Sequence, residues 1–178
     1  QAQNGMMYGF TAGALGFNSS ASDSATQEAR GGMIGATLAA ALGPQATVTF
    51  GLFGGALQHE DERTIQHNWV YLDGNDMEGD GFETSSASYN STFVTPSIEL
   101  SFNSAIGAST TLVSSIGYSH SYISIDGYTE SGVTNVFEGD MNATFGDQLL
   151  QIGEATFGLG IEQELAGGGT FLASLDYI

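Results

Sequence analysis

The chain has 178 residues, no cysteine, only two basic residues (Arg30 and Arg63) and 20 carboxylates, which leaves a formal net charge of −18. Without thiols it has neither a disulfide scaffold nor a cysteine-based metal or catalytic site. So few cations also exclude nucleic acid as a partner, because phosphate binding rests on Lys and Arg. At this length a single domain over residues 1–178 is expected. No apolar run approaches the ~18–20 residues that a transmembrane helix needs. A chain that opens Gln1-Ala2-Gln3 is expected to be a mature or excised piece.

The apolar pattern has a period of two. Alternating stretches are expected as strands at 6–17, 31–42, 46–58, 85–102, 110–125, 146–165 and 170–178. The connections alternate in length: tight turns near Gly43-Pro44-Gln45, at 104–108 and at 166–169, and long polar connections at 18–30, 59–82 and 126–142. Side chains alternate between the two surfaces of a sheet, so each stretch presents two faces. One carries Ile34, Ala36, Leu38 and Ala40 on the second stretch, then Val48, Phe50 and Leu52 on the third. The fourth adds Val94, Pro96, Ile98, Leu100 and Phe102, the sixth Ala155, Phe157, Leu159 and Ile161, and the last Phe171, Ala173, Leu175 and Tyr177. The opposite face is Gly, Ser and Thr with a few Glu.

A soluble sandwich also alternates, but its outer face is charged and its inner face meets a second apolar sheet. Small polar residues opposite an apolar face fit a polar lumen and a lipid-facing wall. The expected fold is therefore all-β, an up-and-down antiparallel transmembrane β-barrel with about seven strands visible. Seven is odd, whereas bacterial single-chain barrels usually close with an even count. An incomplete stretch of a larger barrel is the expectation.

Few residues carry chemistry. Glu99, Glu154, Glu162 and Glu164 fall on the polar face and are expected to line the lumen, where carboxylates without opposing cations favour cation passage. Asp73, Asp76, Glu78 and Asp80 place hard oxygens at close spacing in an acidic loop, a candidate calcium site that lacks the twelfth-position acid, Ala87 standing there in the frame from Asp76. A solvated acidic surface is the alternative for this loop, and no other cofactor is expected. His59 and His67 flank the same connection and, with Glu60 or Asp61, form a second metal candidate. His120 lies between Ser119 and Ser121, but nothing singles out a nucleophile, so no enzyme is expected. Trp69, Tyr71, Tyr118 and Tyr122 lie near strand ends, where amphipathic rings suit a water–lipid boundary.

Several segments resemble the C-terminal translocator barrel of autotransporters, the type V secretion proteins. They are Pro96-Ser-Ile-Glu-Leu100, Thr111-Leu-Val-Ser-Ser-Ile-Gly-Tyr118, Ile125-Asp-Gly-Tyr-Thr-Glu-Ser-Gly132, Gly158-Leu-Gly-Ile-Glu162 and Thr170-Phe-Leu-Ala-Ser-Leu-Asp-Tyr177. The resemblance implies a bacterial outer-membrane location at the cell surface, contact with outer-membrane lipid and with the barrel-assembly machinery, and a passenger segment. It also implies twelve strands and a final strand ending in an aromatic residue, from which this chain departs at Ile178. Two other classes stay open: a cation-preferring outer-membrane channel, and a non-membrane β-rich protein that self-associates through edge strands.

Overall fold

The computed structural model describes residues 5–20, 24–66, 71–73, 76–78, 82–132, 134–135, 139–140, 142–165 and 167–177, with the backbone alone at 66, 71–73, 76–78, 134–135 and 139–140. Seven long strands carry the fold. They are β1 (Met6–Ser20), β2 (Ala25–Ala41), β3 (Ala46–Gln66), β4 (Phe82–Ala105), β5 (Thr110–Ile125), β6 (Gln148–Glu164) and β7 (Thr170–Tyr177). They form one antiparallel sheet in sequence order, β1 to β7, curved into a half-barrel. Among the described residues there is no α-helix. Among the described residues β1 pairs only with β2 and β7 only with β6, which leaves the sheet open at both edges.

The seven expected strands are all present, and β5 has the expected bounds. Others run further toward the long-connection side: β1 to Ser20, β3 to Gln66, with β2 starting at Ala25 and β4 at Phe82. The first connection, expected at 18–30, is thereby reduced to residues 21–24. The physical reason lies in what alternation reports. An apolar face is needed only where a strand meets lipid. Beyond it both faces are polar, yet the backbone ladder still satisfies each N–H and C=O, so pairing continues without a period-two signal. The three tight turns close as expected, with Leu42 N–H donating to Ala46 C=O at 2.8 Å, Ile106 to Thr110 at 3.0 Å and Leu165 to Gly169 at 2.7 Å.

Directly paired residues share a face, so the register settles which residues stand together. Phe10, Ala36, Leu52 and Pro96 lie in one row; Leu38, Phe50, Ile98 and Tyr118 in another; Leu100, Ile116, Phe157 and Tyr177 in a third. The apolar faces inferred strand by strand thus fuse into one wall. Its members are open to the surroundings: Phe10 is 81 % exposed, Ile34 71 % and Leu175 77 %, while Ala29 is the one buried apolar residue among those described. A soluble fold cannot leave its apolar wall out and its core empty. Lipid is the environment that accounts for both.

The wall also carries the tilt of a barrel. On β1 its outward run Met6–Ala14 centres on Phe10, and following Phe10's row across the sheet leads to Gly153 on β6. The outward run on β6, Ala155–Ile161, centres instead at Gly158, so the belt has slid five residues over five strand-to-strand steps. With a rise of ~3.3 Å per residue and ~4.8 Å between strands, that slope is about 35°. Barrel strands tilt ~35–45° to the axis. A horizontal lipid belt on tilted strands leaves this diagonal.

The inner face is packed tightly with small residues. A Cβ at Gly35, on the neighbouring β2, would run into the ring of Phe53, and one at Gly51 would meet Ser97 Oγ and the edge of the same ring. Glycine leaves room for a large inward ring on a closely curved sheet.

Leu159 stands near the centre of the belt and Thr49 on the opposite face, directly across from Glu99. Leu159→Arg is expected to cost about 2–4 kcal/mol, the range for a cation near the bilayer midplane. Thr49→Arg is expected to be tolerated, since it faces water and a carboxylate. The folded fraction in lipid, read by heat-modifiable gel mobility, checks this; equal loss in both variants would reverse the facial assignment.

Candidate functional site

The register places Glu99, Glu154, Glu162 and Glu164 together on the inner face, opposite the lipid wall. Glu99 pairs with Thr49 and Gly117, Glu154 with Ser119, Glu162 with Thr111 and Glu164 with Thr170. Asp176 joins this face across from Gly158. Neither arginine falls within this stretch. Arg30 sits on the outer face and Arg63 on the inner face, both beyond the belt on the long-connection side.

Above the belt a further piece of chain covers part of the inner face. Residues 126–132 and 142–147, between β5 and β6, form a small self-paired unit against the sheet, with Tyr128 opposite Phe145 and Thr129 opposite Thr144. Glu130 N–H donates to Ala143 C=O at 2.9 Å. Contacts among the described residues tie this unit to the strands. Arg63 Nε and Nη2 donate to the two carboxylate oxygens of Glu130 at 2.8 and 2.6 Å, a bidentate fork on a carboxylate that is 8 % exposed. Ser86 and Ser131 exchange both backbone hydrogen bonds at 2.9 Å. Tyr128 lies between Tyr89 and Phe145, with ring centroids at 4.3 and 4.8 Å, and Tyr89 stacks in turn on His59 at 4.7 Å. Gly132 has φ +102°, a conformation that L side chains rarely adopt, and a Cβ there would strike the Thr84 carbonyl.

A polar cluster lies beneath. Tyr89 OH donates to Asp61 Oδ2 at 2.8 Å, and Gln27 Nε2 donates to the same oxygen at 3.3 Å. His59 Nε2 and Ser91 Oγ share a hydrogen bond at 2.8 Å. Burial pushes the Tyr89 hydroxyl up to about 12, helped by the hydrogen bond to Asp61 and its charge. The hydrogen bonds from Arg63 hold the Glu130 carboxyl below its ordinary range, outweighing the opposing effect of burial.

The other candidates from the sequence separate. His120 lies on the outer face between Tyr118 and Tyr122, with Tyr118 OH 3.0 Å from Nδ1, whereas Ser119 and Ser121 face inward. They cannot act together as nucleophile and base. His59 does meet a serine, but Ser91 is 3 % exposed and His59 Nδ1 has no partner among the described residues, so no acid orients the ring. Of the histidine–acid metal candidate, His59 and Asp61 share the inner face and Glu60 faces out, while His67 lies outside the described residues. Of the calcium candidates, a short backbone ladder sets Asp73 across from Asp76 and Tyr71 across from Glu78, while Asp80 and Trp69 lie outside the described residues. Among the described residues no cluster of three or more ligating side chains forms.

The Arg63–Glu130 pair and the Tyr89–Tyr128 stack escaped the sequence reading. Their signal was present: one of only two arginines, and a Tyr-Thr-Glu-Ser-Gly run at 128–132, had no assigned partner.

Two of the shifted groups limit the pH range of this cluster. Glu130, lowered in the fold, adds stability above its ordinary value of 4.5 that is lost as pH falls through the folded value. Tyr89, raised in the fold, adds stability below its ordinary value of 10 that is lost as pH rises through about 12. Tyrosinate absorbance is expected to show one hydroxyl titrating near 12, absent in Tyr89→Phe and shifted down in Asp61→Asn. An unchanged late step in Tyr89→Phe would show that another tyrosine carries it.

No curated protein matches the chain. The family described as "Autotransporter beta-domain" matches residues 1–176, nearly its whole length. With that match, an outward apolar wall on tilted antiparallel strands and a small, polar inner face, the chain belongs to the autotransporter beta-domain family, outer-membrane β-barrels that display a passenger at the cell surface.

Proposed function

We propose that this domain anchors its protein in the outer membrane and carries a passenger segment past its inner face to the cell surface. The observation behind this reading is the division of the sheet into two walls. One is apolar and exposed on all seven strands; the other is built of Gly, Ser and Thr with carboxylates and no base inside the belt. A wall of mostly small polar residues gives an extended peptide hydrogen-bonding surface, and sparse charge of one sign avoids locking it in place. Contact with the barrel-assembly machinery belongs to the same proposal. The bare edges of β1 and β7 favour further strand pairing, because unpaired backbone in hydrocarbon costs several kcal/mol per group.

The inner carboxylates favour a second reading, a cation-preferring pore. In planar bilayers under a salt gradient, the reversal potential is expected on the cation-selective side, to shrink as salt rises, and to fall in Glu99→Gln/Glu154→Gln. A reversal potential near zero, with open channels present, would remove the pore and leave the translocator.

Calcium at Asp73, Asp76, Glu78 and Asp80 rests on the sequence pattern. With the twelfth-position acid missing, the expected affinity is in the ~10⁻⁴–10⁻³ M range of extracellular modules. Titration calorimetry of the native chain against Asp76→Asn/Asp80→Asn tests it, and equal heats at millimolar calcium would leave a solvated acidic surface.

A further inference from the structure

We propose that the outer wall across β1 to β4 holds one molecule of a phosphorylated glycolipid, with an acyl chain in a hollow of the wall and its phosphate on Arg30. The site lies wholly on the lipid-facing side of the sheet and is independent of what passes along the other side.

The lipid wall is not smooth. Phe10, Ala36 and Leu52 form one outward row and Ala12, Ile34 and Gly54 the next, so large and small side chains alternate both along and across the strands. These residues surround a cavity of about 690 Å³. In hydrocarbon such a hollow is filled by an acyl chain, which gains the dispersion contacts that an empty space would forfeit. The next outward row toward the long-connection side is Ala14, Gly32 and Ala56. No bulky side chain therefore separates the hollow from the row above, where Arg30 stands between Gly16 and Gln58.

The heights match those of a lipid. The belt slides one residue per strand toward the short-turn side, which puts its centre on β2 at Thr37, beside the Ala36 of Phe10's row. Ile34 and Ala36 then lie within the hydrocarbon. Arg30, further along β2, stands ~19 Å from the midplane at ~3.3 Å per residue and ~35° of tilt. Hydrocarbon ends ~15 Å from the midplane and headgroups reach ~20–22 Å, so Arg30 is at phosphate level. The long connections mark this side as the outer leaflet. Of the two bases in the chain, Arg30 is the one that faces out. Its side chain is 79 % exposed and among the described residues gives one hydrogen bond, from Nη2 to Glu28 Oε2 at 2.7 Å. The rest of the guanidinium fork is left for phosphate oxygens. Gln58 and Asn90 continue the same outward row, and Glu28 and Glu60 stand in the next row out. Glu28 also accepts a hydrogen bond from Asn18 Nδ2 at 3.1 Å. Ionised carboxylates only accept, whereas amides both donate and accept. A sugar beside the phosphate satisfies this set through its hydroxyls, while a bare phosphodiester headgroup sets its charge against the two carboxylates.

Native mass spectrometry of the whole chain in detergent counts the lipids bound and gives their affinity. The probes are diphosphorylated lipid A, which is an acylated disaccharide, the same lipid with its phosphates removed, and phosphatidylglycerol, which carries a phosphate but no sugar. A single lipid A molecule is expected to bind about tenfold more tightly than either of the others, the scale of one hydrogen bond to a charged group. Arg30→Ala is expected to lose the preference for the phosphorylated form. Ala36→Leu, which fills the hollow with a side chain suited to the wall, is expected to weaken lipid A several-fold and to keep that preference. Equal affinity for lipid A and either of the other lipids on the native chain would overturn the proposal. So would native-like binding of lipid A by either variant. Folding is read on the same samples by heat-modifiable mobility, and where a variant does not fold, the comparison of lipids on the native chain still decides.

Discussion

Backbone polar groups in hydrocarbon have no water to turn to, so every strand crossing the membrane must find its hydrogen bonds in its neighbours. Side-chain direction along a paired strand is then no longer free: residues in one row face one way, and a slip of a single residue would exchange the lipid wall for the inner wall. The outward faces of seven strands agree in one register. Their agreement is what sets the belt, and the five-residue slide from Phe10's row to Gly158 follows from holding that belt level on inclined strands. Pro96, which has no N–H to give, interrupts the recorded β4–β5 pairing between Val94 and Ser97. The hydroxyls of Thr95 and Ser121 meet there at 2.9 Å.

Charge is placed by the same logic. None of the outward residues between Met6 and Ala14, Val94 and Phe102 or Ala155 and Ile161 is a carboxylate, a histidine or a base. The carboxylates stand inside or above the belt, and the two arginines lie on the long-connection side. There Arg30 meets Glu28 at 2.7 Å on the exposed outer surface, a geometry worth little in water. Arg63 instead holds Glu130 where the carboxylate is largely shielded, so the fork matters more. Of two cations in the chain, only the inward one organises structure.

The inner surface changes character along its length. Small hydroxyl residues and Glu99 occupy the level of the belt; Met33, Phe93, Ile123 and Leu150 follow, then the aromatic level of His59 and Tyr89, then the fork of Arg63 and Glu130. Water, an extended peptide and an ion would each meet these levels differently. What was expected to be a long external connection at 126–142 contributes the last of them from the inside.

Alternation between near neighbours is a local property, and so the sequence alone was enough for the strand count, the three tight turns and the two faces. The family resemblance rested on the same local patterns. Strand ends past the belt were not legible, because the ladder from 59 to 66 and from 82 to 84 rests on backbone pairing that leaves no hydrophobic signature. Nor was the fork between Arg63 and Glu130, 67 residues apart, or the stack of Tyr128 on Tyr89. Those contacts depend on strands meeting in register and on Gly132 lying close against the Thr84 carbonyl, and only the folded sheet brings such distant residues together.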